Sequence, residues 1–178
     1  MTGDADREEQ LAKIPVFRGL VLDEFRQLLS VSQEVAFPAS QKIIEQGQTS
    51  QALWILLEGE CQVVREAWGG PVMLAELSPP DMFGEMSFFS PAPHSASVVS
   101  TTQVRLLKLA RADYDELILA DAKAAYKLAY SVVERVAKKL RTMDRRLAAL
   151  ADDCGDEDAE NRPEWRRFRE NLFGDWNL

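Results

Sequence analysis

Asp81-Met82-Phe83-Gly84-Glu85-Met86-Ser87-Phe88-Phe89-Ser90-Pro91-Ala92-Pro93-His94-Ser95-Ala96-Ser97-Val98 is the stretch of this chain that decides its fold. Gly84 admits backbone conformations and close approaches closed to other residues. A short helix beginning at Glu85 aims the free N–H groups of Met86 and Ser87 at an anion, with the helix dipole in support. An ionised Glu85 accepts hydrogen bonds from neutral hydroxyls. A lone Gly-Glu pair is equally compatible with plain helix capping. Pro91 and Pro93 fix φ on either side of Ala92 and stiffen the loop that presents His94. Phe88 and Phe89 are bulky and apolar, and are expected to pack into the core.

Outward from this stretch the texture is β-rich. Short runs at Glu34–Phe37, Lys42–Glu45, Leu53–Leu57, Cys61–Arg65, Val72–Leu77, Ala96–Ser100 and Val104–Leu109 read as strands. Pro38, Gly47, Glu58-Gly59, Gly69-Gly70-Pro71 and Ser78-Pro79-Pro80-Asp81 separate them as turns. Many short strands so spaced argue an antiparallel sandwich, jelly roll or barrel. Before them, apolar residues from Leu11 to Leu29, interrupted by Pro15 and Gly19, suggest two short helices.

From Arg111 to Asp153 there is neither Gly nor Pro, which predicts a short helix to about Leu119 and a long one from about Asp121. Along the long helix Tyr126, Ala129, Val133, Val136, Leu140, Met143, Leu147 and Leu150 recur in steps of three and four, the seam of a coiled coil. Packing of that seam on the chain's own β domain is the alternative to dimerisation. Lys138, Lys139, Arg141, Arg145 and Arg146 line the polar side. An acidic linker begins at Asp152, with Gly155 as a helix stop. The amphipathic tail from Arg162 to Leu178, with Trp165, Phe168, Leu172, Phe173 and Trp176, is expected to dock on its own domain, with a partner or a membrane surface as alternatives.

Composition narrows the function. In 178 residues, 29 acidic side chains oppose 21 basic ones, and a formal charge of -8 repels a polyanion. No apolar run spans a bilayer and the acidic start is unlike a secretory signal, so a cytoplasmic location is expected. Two distant cysteines, Cys61 and Cys154, offer neither a disulfide framework nor a zinc cluster. The single histidine excludes multi-histidine metal sites, and no metal is expected.

The quoted stretch resembles the phosphate-binding cassette of cyclic nucleotide-binding domains, the family of the catabolite activator protein and the regulatory subunits of cyclic AMP-dependent protein kinase. The family reads approximately F-G-E-L/I-A/S-L, a few residues, then P-R-A/S-A-x-V. Phe83-Gly84-Glu85-Met86-Ser87 and Pro93, Ser95, Ala96 and Val98 fall on that pattern without a gap. Leu53 to Val64 looks like the family's Y-x-I-x-x-G-x-V-x-V hairpin, and Leu77 to Asp81 like its L-x-x-G-D segment, with Pro80 where a glycine is usual.

The resemblance implies a mainly β fold with flanking helices: an eight-stranded antiparallel, jelly-roll-like β-roll with a cassette helix, N-terminal helices, a B helix near Arg111–Leu119 and a long C-terminal dimerisation helix. It divides the chain into N-terminal helices (1–32), roll (33–110), B and C helices (111–153) and linker with tail (154–178). It implies ligand contacts from Gly84, Glu85, Met86, Ser87, His94, Ser95 and Ala96, with Glu85 on a ribose hydroxyl. Thr142 and Asp144, on the long helix, are candidate contacts to the base. The seam residues are Val133, Val136, Leu140, Met143, Leu147 and Leu150.

One departure limits the carry-over. His94 stands where the family places the arginine that holds the cyclic phosphate. Arginine is always charged and presents a planar fork, whereas a histidine is mostly neutral at pH 7 and offers one donor on a shorter arm. Losing a charge-assisted contact to an enclosed phosphodiester costs ~2–5 kcal/mol, a weakening of about 30- to several thousand-fold. The site is then vestigial, or binds through a protonated His94, or holds another ligand; Arg105 is a candidate for the missing charge.

The reading is a non-enzymatic regulatory module, dimeric through its C helix, that relays the binding of cyclic AMP or cyclic GMP, weakened by His94, to an unidentified protein. The alternative is a degenerate domain that binds no nucleotide and serves as a scaffold. With 28 residues after Leu150, no DNA-binding winged helix is expected. A cupin-like enzyme is disfavoured because no nucleophile motif or Ser/His/Asp grouping stands out.

Overall fold

The structure, a computed structural model, describes residues 11–153, with side chains described through Arg146. The linker and the tail fall outside the described residues. Close contacts divide the chain into two units, one ending at Val132 and the other starting at Val133.

In the first unit a 3-10 turn at Pro15–Phe17 precedes α1 (Leu22–Ser30). The strands are β1 (Ser32–Phe37), β2 (Lys42–Ile44), β3 (Ala52–Glu58), β4 (Cys61–Ala67), β5 (Gly70–Leu77), β6 (Met82–Phe83), β7 (Ser97–Ser100) and β8 (Val104–Ala110). Between β6 and β7 lies the five-residue α2 (Glu85–Phe89), and after β8 come α3 (Arg111–Leu119) and α4 (Lys123–Asp153). Two four-stranded antiparallel sheets result, β1-β8-β3-β6 and β2-β7-β4-β5.

The two faces of β3 explain why its sequence is a continuous apolar run. Ala52, Trp54 and Leu56 point to a core between the sheets with Ile44, Cys61, Phe83, Val98, Val104 and Leu106. Leu53 and Ile55 point to the other side, where they meet Phe17, Phe25 and Leu28 from the N-terminal helices and Ala124, Ala125, Leu128 and Val132 from the start of α4. A strand buried on both faces has no polar face to show, and each fully buried Leu contributes ~1.5–3 kcal/mol.

Every strand but β6 was legible in the β texture; two residues are too few to carry an alternation. The long helix starts at Lys123 rather than Asp121, because Asp121 adopts φ 53° and breaks the chain after α3. Lys127 ties the start of α4 to α1, its ammonium donating to the Glu24 carboxylate at 2.6 Å and to the Gly19 carbonyl at 3.1 Å. Lys127, and the Val21 N–H, hold the Glu24 carboxyl below its usual range.

The apolar stripe of α4 is shared between two roles. Ala124, Ala125, Leu128 and Val132 are buried in the first unit's core, whereas Tyr126 and Tyr130 stay exposed. In the second unit Val133, Val136, Leu140 and Met143 are exposed, and Leu147 and Leu150 lie beyond the described side chains.

The turn between β3 and β4 demands glycine. Gly59 has φ 81°, and a Cβ there would lie 2.2 Å from the Gln103 carbonyl oxygen and 2.7 Å from Thr102 Oγ1. Gly59→Ala is expected to destabilise the domain by roughly 2–4 kcal/mol, through left-handed strain and a backbone clash. Urea unfolding checks this; a shift under 1 kcal/mol contradicts it.

Candidate functional site

The loop between Phe83 and Ser97 is folded by local requirements. Gly84 caps α2 with φ 82°, and its carbonyl accepts the Phe88 N–H at 3.0 Å. The sequence suggested glycine for close approach to a ligand. The structure gives it a different partner: a Cβ would meet the Ala52 carbonyl at 2.5 Å and Trp54 Cδ1 at 3.2 Å, so the close approach is to β3.

Of the sequence-predicted residues, Gly84 to Ser87 form the cap and first turn of α2, and His94, Ser95 and Ala96 follow on the loop to β7. Glu85, Ser87 and His94 are buried; Met86 is 72% exposed and Ser95 is exposed, so the side chains of those two face solvent.

His94 is the centre of a hydrogen-bonded chain. Its Nδ1 lies 2.9 Å from Ser87 Oγ and its Nε2 2.7 Å from Ser50 Oγ. Its backbone is held as well, the N–H donating to Gln48 O at 2.9 Å and the carbonyl accepting from Gly47 N at 2.9 Å. A neutral imidazole fits this setting, donating through one nitrogen and accepting through the other. Burial lowers its pKa below the ordinary 6.5. His94 is thus the middle of a neutral Ser50–His94–Ser87 chain, and nothing in the sequence marks Ser50, 44 residues from its partner.

The other end of α2 is tied to the first helix after the roll. Arg111 Nη1 donates to the Phe88 carbonyl at 2.8 Å while its Nε pairs with Asp115 at 2.7 Å. Gln51 Nε2 donates to the Ser87 carbonyl at 3.3 Å, and the Arg111 N–H to Gln51 O at 2.9 Å. These donors satisfy carbonyls that a five-residue helix leaves open. Phe88 and Phe89 both meet the Tyr114 ring edge-on, at 5.2 and 5.9 Å. Phe88 is fully buried, as expected, in one core cluster with Leu53, Ile55, Met82, Leu107 and Leu109 of the roll strands as well as Tyr114, whereas Phe89 is 36% exposed and packs on Tyr114 at the surface. Tyr114 Oη donates to Ala125 O of α4 at 3.2 Å.

Two other candidates have partners within the protein. Arg105, exposed on β8, pairs with Glu58 at 2.7 Å. Thr142 and Asp144 belong to the second unit, where the Thr142 hydroxyl donates to Lys138 O at 3.0 Å within its own helix. Burial pushes the Cys61 thiol up to about 11 and keeps it protonated. Among the described residues there is no cluster of three metal-ligating side chains, and no helix long and apolar enough to cross a membrane.

Comparison with known proteins places this geometry. Residues 34–121 match the cyclic nucleotide-binding domain family, and the chain carries a domain of that family. The cyclic AMP receptor protein of Thermus thermophilus is 36% identical over 149 residues, covering 83% of this chain and 65% of the relative, so the chain spans less than two thirds of that protein's length. The crystal structure of the Thermus thermophilus catabolite activator protein superimposes with a TM-score of 0.68 at 34% identity, over 77% of this chain and 63% of that one. A cyclic nucleotide-binding domain from Methylobacillus flagellatus shares the fold, with a TM-score of 0.72 at 24% identity over 82% of this chain and 84% of that one.

His94 makes a prediction about stability. Its folded pKa lies below 6.5, so the unfolded chain takes up the proton first: its contribution is intact above about 6.5 and lost as pH falls through the folded value. As the chain has one histidine, urea midpoints measured between pH 7.5 and 5 are expected to fall more steeply in the wild type than in His94→Gln. Parallel curves contradict the assignment.

Proposed function

We propose that this chain is a non-enzymatic regulatory module, acting in the cytoplasm, that holds cyclic AMP or cyclic GMP at residues 84–87 and 94–96 and relays occupancy to α4, through which two copies pair and a further protein is engaged. The observation that carries the reading is that α2 is tied on both sides. Ser87 joins it to His94, and Arg111, Gln51 and Tyr114 join its end to α3 and the first turns of α4. A ligand that moves α2 therefore moves the groups that position α4, provided that it binds the two arrangements unequally. The Thermus relative named as a cyclic AMP receptor supports the choice of ligand.

The neutral relay sets the strength of binding. A cyclic phosphate beside His94 favours the imidazolium, so binding takes up a proton and strengthens in acid. Calorimetric titration with cyclic AMP and cyclic GMP is expected to give tighter binding at pH 6 than at pH 8. His94→Arg is expected to tighten it by about 30-fold or more through a charge-assisted fork. A second reading, a nucleotide-free scaffold, is favoured by one observation, that both ring nitrogens of His94 already have protein partners. Absence of binding by wild type and His94→Arg alike selects it.

Pairing of two copies rests on the exposed Val133, Val136, Leu140 and Met143. An aspartate among coiled-coil seam residues buries an unpaired charge. Leu140→Asp is therefore expected to convert a dimer into a monomer in sedimentation velocity with an unchanged urea midpoint for the β domain; an unaltered sedimentation coefficient contradicts the seam.

A further inference from the structure

One polar atom inside the roll has no use in the relay or the core. Trp54 is 7% exposed, and its indole N–H is, among the described residues, the buried side-chain polar atom with no hydrogen-bond partner. Native interiors rarely tolerate such a donor, because it forfeits its hydrogen bond to water and gains nothing in return.

The placement of the ring is defined. Trp54 stacks on Phe83 at 6.2 Å, the residue immediately before Gly84, and meets Phe37 edge-on at 6.0 Å. Cδ1, the carbon bonded to the N–H nitrogen, lies 3.2 Å from the point where a Gly84 Cβ would be, and Ile44 Cδ1 lies 3.5 Å from the same point. The donor edge is thus turned to the start of the cassette, between β3 and β2 of the opposite sheet. Lys108 Nζ sits 5.4 Å from the ring centroid, and among the described residues no carboxylate pairs with it. A cation over the π face draws electron density from the indole and makes its N–H a stronger donor.

We propose that Trp54 is a ligand-contacting, specificity-determining residue: its N–H, sharpened by Lys108, donates to a hydrogen-bond acceptor of the molecule held at the cassette. The inference rests on the proposed function, since the molecule it names is a purine cyclic nucleotide. It adds a donor from β3, outside the cassette, to those of the cassette itself. A ligand with an acceptor at that point is selected over one that presents only apolar surface there, because the second leaves the indole unpaired.

The test is a proton–nitrogen correlation spectrum of the labelled full chain, with the Trp54 indole signal identified by its loss in Trp54→Phe, titrated with cyclic AMP, cyclic GMP and inorganic phosphate. The expected result is that a nucleotide shifts the Trp54 indole signal together with the backbone amides of Gly84 to Ser87, and that Trp54→Phe weakens binding about tenfold, the effect of one hydrogen bond to a polar or charged acceptor. Cassette amides that move while the indole signal stays still, with Trp54→Phe binding within twofold of wild type, overturn the inference and leave the proposed function standing. If neither amides nor indole respond to either nucleotide, both fall. Should Trp54→Phe not fold, the Trp54 indole signal is assigned by exclusion from Trp68→Phe, Trp165→Phe and Trp176→Phe, and its shift or lack of one decides the matter.

Discussion

Everything in this site depends on how the five residues of α2 are held. Such a helix is too short to be stable by itself, so its position is set by its partners. On one side the Ser87 hydroxyl meets His94; on the other Arg111 and Gln51 take the carbonyls of Phe88 and Ser87. Gly84 fixes the near end, because only a residue without Cβ fits against the Ala52 carbonyl. The short helix is thereby in contact with β3, bonded to α3 and, through His94, linked to the loop carrying Ser50.

His94 places a neutral ring, and no fixed positive charge, at the centre of these hydrogen bonds. An arginine at position 94 would require a counter-ion or water, whereas His94 is satisfied by two serine hydroxyls and stays neutral in a buried setting. The hydrogen bonds that hold it also join the loop before β3 to α2.

Much of this was legible in the chain. The β runs, the helix after β8 and the register of Phe83 to Val98 fixed the architecture because alternation and turn residues act locally. The faces of β3 were not separable, since a strand buried on both sides shows no alternation. Ser50, Gln51 and Arg111 were not found as site residues because nothing local marks a loop serine or a helix-opening arginine as the partner of a residue dozens of positions away. The stripe on α4 mixed two sets of residues: Ala124, Ala125, Leu128 and Val132 serve the core, while Val133, Val136, Leu140 and Met143 are exposed.

The central claim is that the position of α2 is read by α3 and the first turns of α4. Hydrogen–deuterium exchange of the full chain with and without saturating cyclic nucleotide tests it most directly. The account predicts altered protection in residues 111–132 alongside the change at 84–97. A change confined to 84–97, with 111–132 unaltered at saturation, contradicts it.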